Sequence, residues 1–185
     1  MGMNEFGLAI TINLVVSKGW QIGIPPYLLV RRLLQSHTIE ECLQIIKTLT
    51  IASSRSLSIM DQTRLVNIEV TPTGWKMIEN NYLSHTNHFL HPDWTESESL
   101  NSFSKNSSVK RKSILDHYMA KGLNLSNIQL AFEDHSLYPV GICAHNEGDD
   151  RLSETVAAVI MRPRLKQFLA LKGNPCKNKY FYFSL

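Results

Sequence analysis

Residues 8–16 read Leu-Ala-Ile-Thr-Ile-Asn-Leu-Val-Val, and no other segment restricts the fold as much. Leu8, Ile10, Ile12, Leu14 and Val16 fall on one side of an extended chain, and Ala9, Thr11, Asn13 and Val15 on the other. A period of two predicts a strand with one apolar face and one smaller, partly polar face. The turn-like segment Gly2-Met3-Asn4-Glu5-Phe6-Gly7 precedes it, so the chain enters this strand with no lead-in. Gly19, Gly23, Pro25 and Pro26 mark the loop that follows.

Two helices come next. The first is expected over about residues 25–35, with proline in its first turn and Leu28, Leu29, Leu33 and Leu34 inward. The second opens at Thr38-Ile39-Glu40-Glu41, which has the form of a capping box, and turns Leu43, Ile45 and Ile46 inward. Strands are expected over 56–60, 64–71 and 75–78, with Thr71-Pro72-Thr73-Gly74 as a turn. Residues 92–108 are polar and serine-rich and read as a loop. A helix starting at Ser107 or Ser108 and stopping before Gly122 carries Ile114, Leu115, Tyr118 and Met119 inward, and a short helix covers 126–132. Strands over 155–161, 166–171 and 179–185 close the chain, with a turn at Gly173-Asn174-Pro175. No internal repeat is present. The order of strand, helices, strands, helices and strands predicts one α+β domain of packed helix and sheet layers.

Composition narrows the function. Hydrophobic residues make up 43% and charged residues 19%, which suits a packed core rather than disorder. A net charge of +3 is too small to imply a nucleic-acid partner. No apolar run approaches the roughly 18 residues of a membrane span, and no basic-then-apolar leader is apparent. Cys42, Cys143 and Cys176 are scattered, odd in number and without a CxxC pair, so reduced thiols in a cytoplasmic protein are expected rather than a disulfide framework.

Four features carry candidate chemistry. Asn13 places a carboxamide on the smaller strand face, where it either donates to a developing oxyanion or bonds a neighbouring loop. His85, His88 and His91 are spaced by three and followed by Asp93, the basis for a metal-dependent hydrolase. That spacing gathers ligands only on a helix, and Pro92 with its β-branched and aromatic neighbours favours an extended segment, in which Asn87 is the competing hydrogen-bonding residue. Lys110, Arg111 and Lys112 fall in the first turn of the expected helix, against its dipole. Arg111 has the geometry to bind a carboxylate; for the two lysines a solvated basic face is preferred. Cys143 and His145 share a face in an extended segment, as a thiol–imidazole pair or as a buried structural cysteine beside a histidine.

In order along the chain, the segments Gly2-Met3-Asn4-Glu5-Phe6-Gly7-Leu8-Ala9-Ile10-Thr11-Ile12-Asn13, Gly23-Ile24-Pro25, Leu28-Leu29-Val30-Arg31, Ala52-Ser53-Ser54 and Glu69-Val70-Thr71-Pro72 are followed by His85-Thr86-Asn87-His88, Ser108-Val109-Lys110-Arg111, Tyr138-Pro139 to Cys143, Thr155-Val156 and Gly173-Asn174-Pro175-Cys176. This series resembles the acyl-coenzyme A:6-aminopenicillanic acid acyltransferase family, the C45 peptidase group of N-terminal nucleophile hydrolases, over nearly the whole chain. The resemblance implies a four-layered α-β-β-α sandwich that hydrolyses or transfers acyl groups at amide or thioester bonds. The nucleophile would be a cysteine exposed by autocatalytic cleavage. It implies small acylated amines, amides or acyl thioesters as substrates, with no cofactor and no metal. Asn13 falls at the oxyanion-hole asparagine, Asn87 at the asparagine that holds the intermediate and the nucleophile's α-amino group, and Arg111 at the arginine beside the cysteine. The HTNH histidines would then be structural.

One departure stands against these matches. The family's cysteine lies well upstream of the GxNexGL segment, and none of Cys42, Cys143 or Cys176 occupies its place; the aspartate downstream of it is missing too. The expectation is therefore that residues 1–185 are the C-terminal portion of such a domain, lacking its first strands and inactive alone. A non-catalytic binding remnant is the rival reading. Activity would need the cysteine from an upstream segment or a separate N-terminal chain.

Overall fold

The alternation that begins at Leu8 forms a strand only as far as Asn13. The structure, a computed structural model, describes residues 1–149 and 153–185. Asn4 shapes the turn before the strand: its Oδ1 accepts from Phe6 N (3.1 Å) and Leu8 N (3.0 Å), and its Nδ2 donates to Leu34 O and Ser36 O. Gly7, at φ +79°, completes this turn in a backbone region that only glycine enters without strain. The turn folds β1 (Gly2–Met3) back antiparallel on β2 (Ala9–Asn13). Beyond Asn13 the chain leaves the sheet: Leu14 is 47% exposed and Val15 is buried, the reverse of the expected alternation. The backbone there bonds elsewhere, Leu14 O accepting from the Asn87 side chain and Val16 O from Ser99 N.

Helix α1 (Pro26–Leu33) buries Pro26, Leu29, Val30 and Leu33, a stripe at i, i+3, i+4 and i+7. Leu28, expected inward, falls off that stripe and is exposed. Helix α2 (Ile39–Thr48) starts where the capping residues predict: Thr38 Oγ1 accepts from Glu41 N at 3.2 Å. Glu41 reaches back one residue further than a standard box, to His37 N at 2.9 Å. Ile39, Cys42 and Ile46 are its buried residues, with Leu43 and Ile45 packed partly against the core.

β3 (Arg55–Met60), β4 (Leu65–Thr71) and β5 (Gly74–Glu79) complete an antiparallel sheet of order β1-β2-β3-β4-β5. Thr71 pairs directly with Gly74, so Pro72 and Thr73 form the expected hairpin turn. Leu8, Ile10, Leu57, Ile59, Val66 and Ile68 from one face pack on α1 and α2 as the main core. Dispersion and removal of apolar surface from water hold this layer together.

The polar stretch 92–108 is more ordered than its composition predicts. It holds α3 (Pro92–Thr95) and the start of α4 (Ser102–Ala120), capped by Asn101 Oδ1 on Ser104 N at 2.9 Å. Lys110 to Lys112 therefore lie well inside the helix, and the expected conflict with its dipole does not arise. Lys110 is exposed and Lys112 pairs with Asp116 at 2.8 Å. Helix α5 (Leu125–Phe132) packs on α4, and β6 (Ala157–Arg162), β7 (Gln167–Lys172) and β8 (Phe181–Ser184) form a second antiparallel sheet. The α+β class is thus observed. Among the described residues no helix is long and apolar enough to cross a membrane.

Candidate active site

The face of the first sheet turned away from the core is polar. In register, Asn13 lies opposite Ser56 and Ser56 opposite Glu69, while Thr11, Ser58 and Asn67 form the next row. Asn67 Nδ2 donates to Ser56 Oγ at 2.8 Å and Ser58 Oγ at 3.0 Å. Glu69 is fully buried and accepts from His85 Nε2 (2.9 Å), Leu90 N (2.6 Å) and His91 N (3.0 Å). These bonds lay residues 85–91 across the sheet. Helix α4 locks the segment from its other side through the buried Ser108, whose Oγ accepts Asn87 N (2.7 Å) and lies 2.8 Å from His88 Nδ1 and 2.9 Å from Thr86 Oγ1.

The three residues singled out by sequence meet around this segment. Asn13 Nδ2 donates to His85 O and Thr86 O, both at 2.8 Å. Both of its amide protons are engaged in this conformation, the loop-bonding role that the sequence left open. Asn87 Nδ2 donates to Leu14 O at 3.0 Å, and its Oδ1 accepts from Arg111 Nη2 at 3.0 Å. Arg111 Nε also reaches Ser107 Oγ at 3.5 Å. Burial lowers the Arg111 pKa, yet a guanidinium stays charged at any ordinary pH. Among the described residues no carboxylate lies within ion-pair distance of it.

Asn13, Asn87 and Arg111 line one cleft of about 470 Å³, with Leu115 of α4 and Ala157 and Val159 of β6. Thr11, Asn13, His85, Leu115 and Phe132 also line a larger chamber of about 1240 Å³, so the two spaces adjoin. Tyr118, Met119, Ile128 and Met161 give that chamber one apolar wall, and Arg64, Glu79, Arg162 and Arg164 a charged one. A cleft of a few hundred Å³ with converging polar groups beside a chamber that has one apolar wall suits a small ligand with an apolar limb.

His85, His88 and His91 do not gather. The segment is extended and turned rather than helical, and each ring has separate partners: Glu69 for His85, Ser108 for His88, Asp93 N for His91. Among the described residues the one group placed to share an ion lies elsewhere, so the metal-hydrolase alternative built on these three has no converging donor set behind it. The smaller cleft has no cysteine in its lining. Cys42 is buried against α1, its Sγ 3.6 Å from Leu33 O, and burial pushes its thiol up to about 11, so it is unsuited to be a thiolate.

His88 links this site to pH. It is 9% exposed, and burial, then the neighbouring His85, holds its pKa below the ordinary value. The unfolded chain binds the proton more readily, so the stability contributed by neutral His88 is complete above about pH 6.5 and falls as the medium turns more acid. Denaturant midpoints are expected to drop between pH 7 and pH 5, with a shallower drop in His88→Gln. The difference between the two profiles separates His88 from His145, whose pKa burial also lowers. Parallel profiles would remove His88 as the cause.

Glu69 and Ser108 organise the site, and sequence reasoning assigned them no role of their own. A signal was available for Glu69, because Asn67, Glu69 and Thr71 alternate with apolar residues in β4 and point to a polar, covered second face. A search of the curated proteins finds no match. The family model for acyl-coenzyme A:6-aminopenicillanic acid acyl-transferase matches residues 1–175. With that match covering nearly the whole chain, this protein belongs to the acyl-coenzyme A:6-aminopenicillanic acid acyl-transferase family.

Proposed function

We propose that residues 1–185 are the C-terminal portion of a penicillin-acyltransferase-type domain, part of a four-layered α-β-β-α sandwich. In this reading the domain hydrolyses or transfers acyl groups at amide or thioester bonds, with a cysteine supplied from outside these residues. The convergence on one cleft of Asn13, Asn87 and Arg111, which has no carboxylate partner among the described residues, carries this reading. Arg111 favours the thiolate form of a cysteine placed beside it. The thiolate attacks the substrate carbonyl carbon and the C=O electron pair moves onto oxygen. Asn13 donates to that oxyanion by exchanging one of its two carbonyl acceptors, which leaves Thr86 still held by Ser108. Asn87 steadies the intermediate and the cysteine's α-amino group, which takes the thiol proton and returns it to the leaving amine of an amide or the leaving thiol of a thioester. Water or an acceptor amine then attacks the acyl thioester and releases the cysteine. The apolar wall of the adjoining chamber, Tyr118, Met119, Ile128 and Met161, receives the acyl limb.

Two features support a nucleophile brought by another segment or chain. Met1 lines the same cleft. β1 pairs only with Ala9 and Ile10, leaving the Thr11–Asn13 edge of β2 open among the described residues. Residues 1–185 alone are expected to turn over no N-acyl amine, and co-expression with an N-terminal chain of this family that begins with cysteine is expected to restore turnover. An acyl adduct on that cysteine, read by intact mass, would identify the nucleophile. Full activity from residues 1–185 alone would place the nucleophile in this chain. Assembly of the two chains without turnover would leave a binding remnant.

A further inference from the structure

We propose that His135, Cys143, His145 and Cys176 form a structural zinc site, separate from the acyl-transfer cleft and independent of its assignment. Their four ligand atoms all lie within 4.8 Å of one another. Cys143 Sγ and Cys176 Sγ are 3.5 Å apart, His135 Nε2 and His145 Nε2 are 3.1 Å apart, and His145 Nε2 lies 3.6 Å from each sulfur. With Zn–S near 2.3 Å and Zn–N near 2.0–2.1 Å, a tetrahedral S2N2 site has edges of about 3.8 Å for S···S, 3.6 Å for S···N and 3.4 Å for N···N. Four of the six edges come within roughly 0.3 Å of those of a zinc tetrahedron, and the two from His135 to the sulfurs lie within 4.8 Å and would close on an ion.

Hydrogen bonding alone accounts poorly for this packing. A neutral imidazole has one nitrogen lone pair to offer, yet two thiols and a second imidazole all converge on His145 Nε2. A shared cation lets all four groups present lone pairs to one point. The two thiols lose their protons to solvent on binding, and the resulting thiolates neutralise the dication. The soft, four-coordinate donor set selects zinc and leaves no open position for water, so the role is structural rather than catalytic.

The backbone holds the ligands in place before any ion arrives. His135 follows α5 in a turn closed by Tyr138 N on His135 O at 2.9 Å. Cys143 N donates to Asp134 O at 3.2 Å, and His145 N to Pro139 O at 2.8 Å. Asn174 Nδ2 donates to Ala144 O at 2.7 Å, tying the turn that carries Cys176 to the residue between Cys143 and His145. Cys143 and His145 are buried, whereas His135 and Cys176 reach the surface and give an ion its way in. The site would staple the end of α5, residues 139–145 and the turn after β7. Ile142 and Pro175, each next to a ligand, line the smaller cleft, so the ion would stiffen a wall of that cleft.

The test is a titration of the reduced, EDTA-stripped chain with Co(II), then Zn(II). One Co(II) per chain is expected, with a near-ultraviolet thiolate-to-cobalt charge-transfer band and the intense visible bands of tetrahedral coordination. Zinc should erase both signals and raise the melting temperature by mass action. Cys42→Ser should keep the bands. Cys143→Ser alters a buried residue, so Cys176→Ala and His135→Ala, at the surface, are the decisive variants. Each should lose or markedly weaken the tetrahedral spectrum while retaining native circular dichroism. No thiolate band in the wild-type chain would overturn the proposal, as would bands unchanged in both surface variants. So would a Cys143–Cys176 disulfide in protein isolated under reducing conditions.

Discussion

Glu69→Ala is expected to cost about 3–5 kcal/mol of stability and to release residues 85–91 from the sheet. The carboxylate is wholly buried on the polar face of the sheet, and three donors converge on it from one segment: His85 Nε2, Leu90 N and His91 N. Truncation leaves two backbone N–H groups and an imidazole without their acceptor in a site that water reaches poorly. Glu69→Gln should cost less, about 1–3 kcal/mol, because one oxygen still accepts while the new amide turns protons toward a donor. Urea unfolding measures the cost. Amide exchange at Leu90 and His91, accelerated at urea concentrations well below the global midpoint, measures the local release. A Glu69→Ala chain as stable as wild type, with protected Leu90 and His91, would show that the segment is held by its other bonds, those to Ser108, Asn13, Leu14, Glu98 and Arg111.

The main core was legible because its physics is local. The alternation at Leu8–Ile12, the stripe of α1 and the Thr38 cap each follow from one short stretch of sequence, and each forms an element where expected. The failures share a different cause. Leu14 and Val16 look like a continued strand, but their backbone partners lie about 70 to 80 residues away, in Asn87 and Ser99. Residues 92–108 look like a loop because α4 begins with serine, lysine and asparagine. That helix is held by its cap and by a polar inner face, on which Ser108 and Arg111 bond the HTNH segment instead of a greasy core. A search for apolar periodicity misses such a helix.

The site divides in the same way. Asn13, Asn87 and Arg111 stood out as residue types in unusual places, and the structure brings them together. Apart from the direct Arg111–Asn87 side-chain bond, what joins them was not visible, since the other joining bonds run through main-chain atoms, the carbonyls of His85, Thr86 and Leu14 and the amide of Asn87. Side-chain motifs carry no record of them. Cys143 and His145 were read as a pair from their spacing. His135, eight residues before Cys143, and Cys176, 31 residues after His145, sit at separations set by loop paths rather than by helical or strand period.

Arg111→Met is expected to act in opposite directions on activity and on stability. A half-buried guanidinium with no carboxylate partner among the described residues has lost hydration and gained little, and burial accounts for its lowered pKa. Its bonds are to neutral groups, Asn87 Oδ1 at 3.0 Å and Ser107 Oγ at a marginal 3.5 Å. Methionine fills similar space without a charge, so melting temperature should hold or rise, and Asn87 Oδ1, near solvent, can turn to water. In the assembled enzyme with its cysteine present, the same change removes the cation that favours thiolate, and acyl transfer should fall by roughly 10²–10³, the loss typical when a preorganised charge-stabilising donor is deleted. Arg111→Lys keeps the charge but not the planar fork, and should recover part of that loss. Raising the pH should rescue the methionine variant more than wild type, because hydroxide then supplies the thiolate that Arg111 no longer favours. If Arg111→Met is instead destabilised and fully active, the guanidinium is a strut for Asn87, and the charge at the cleft serves no acyl-transfer step.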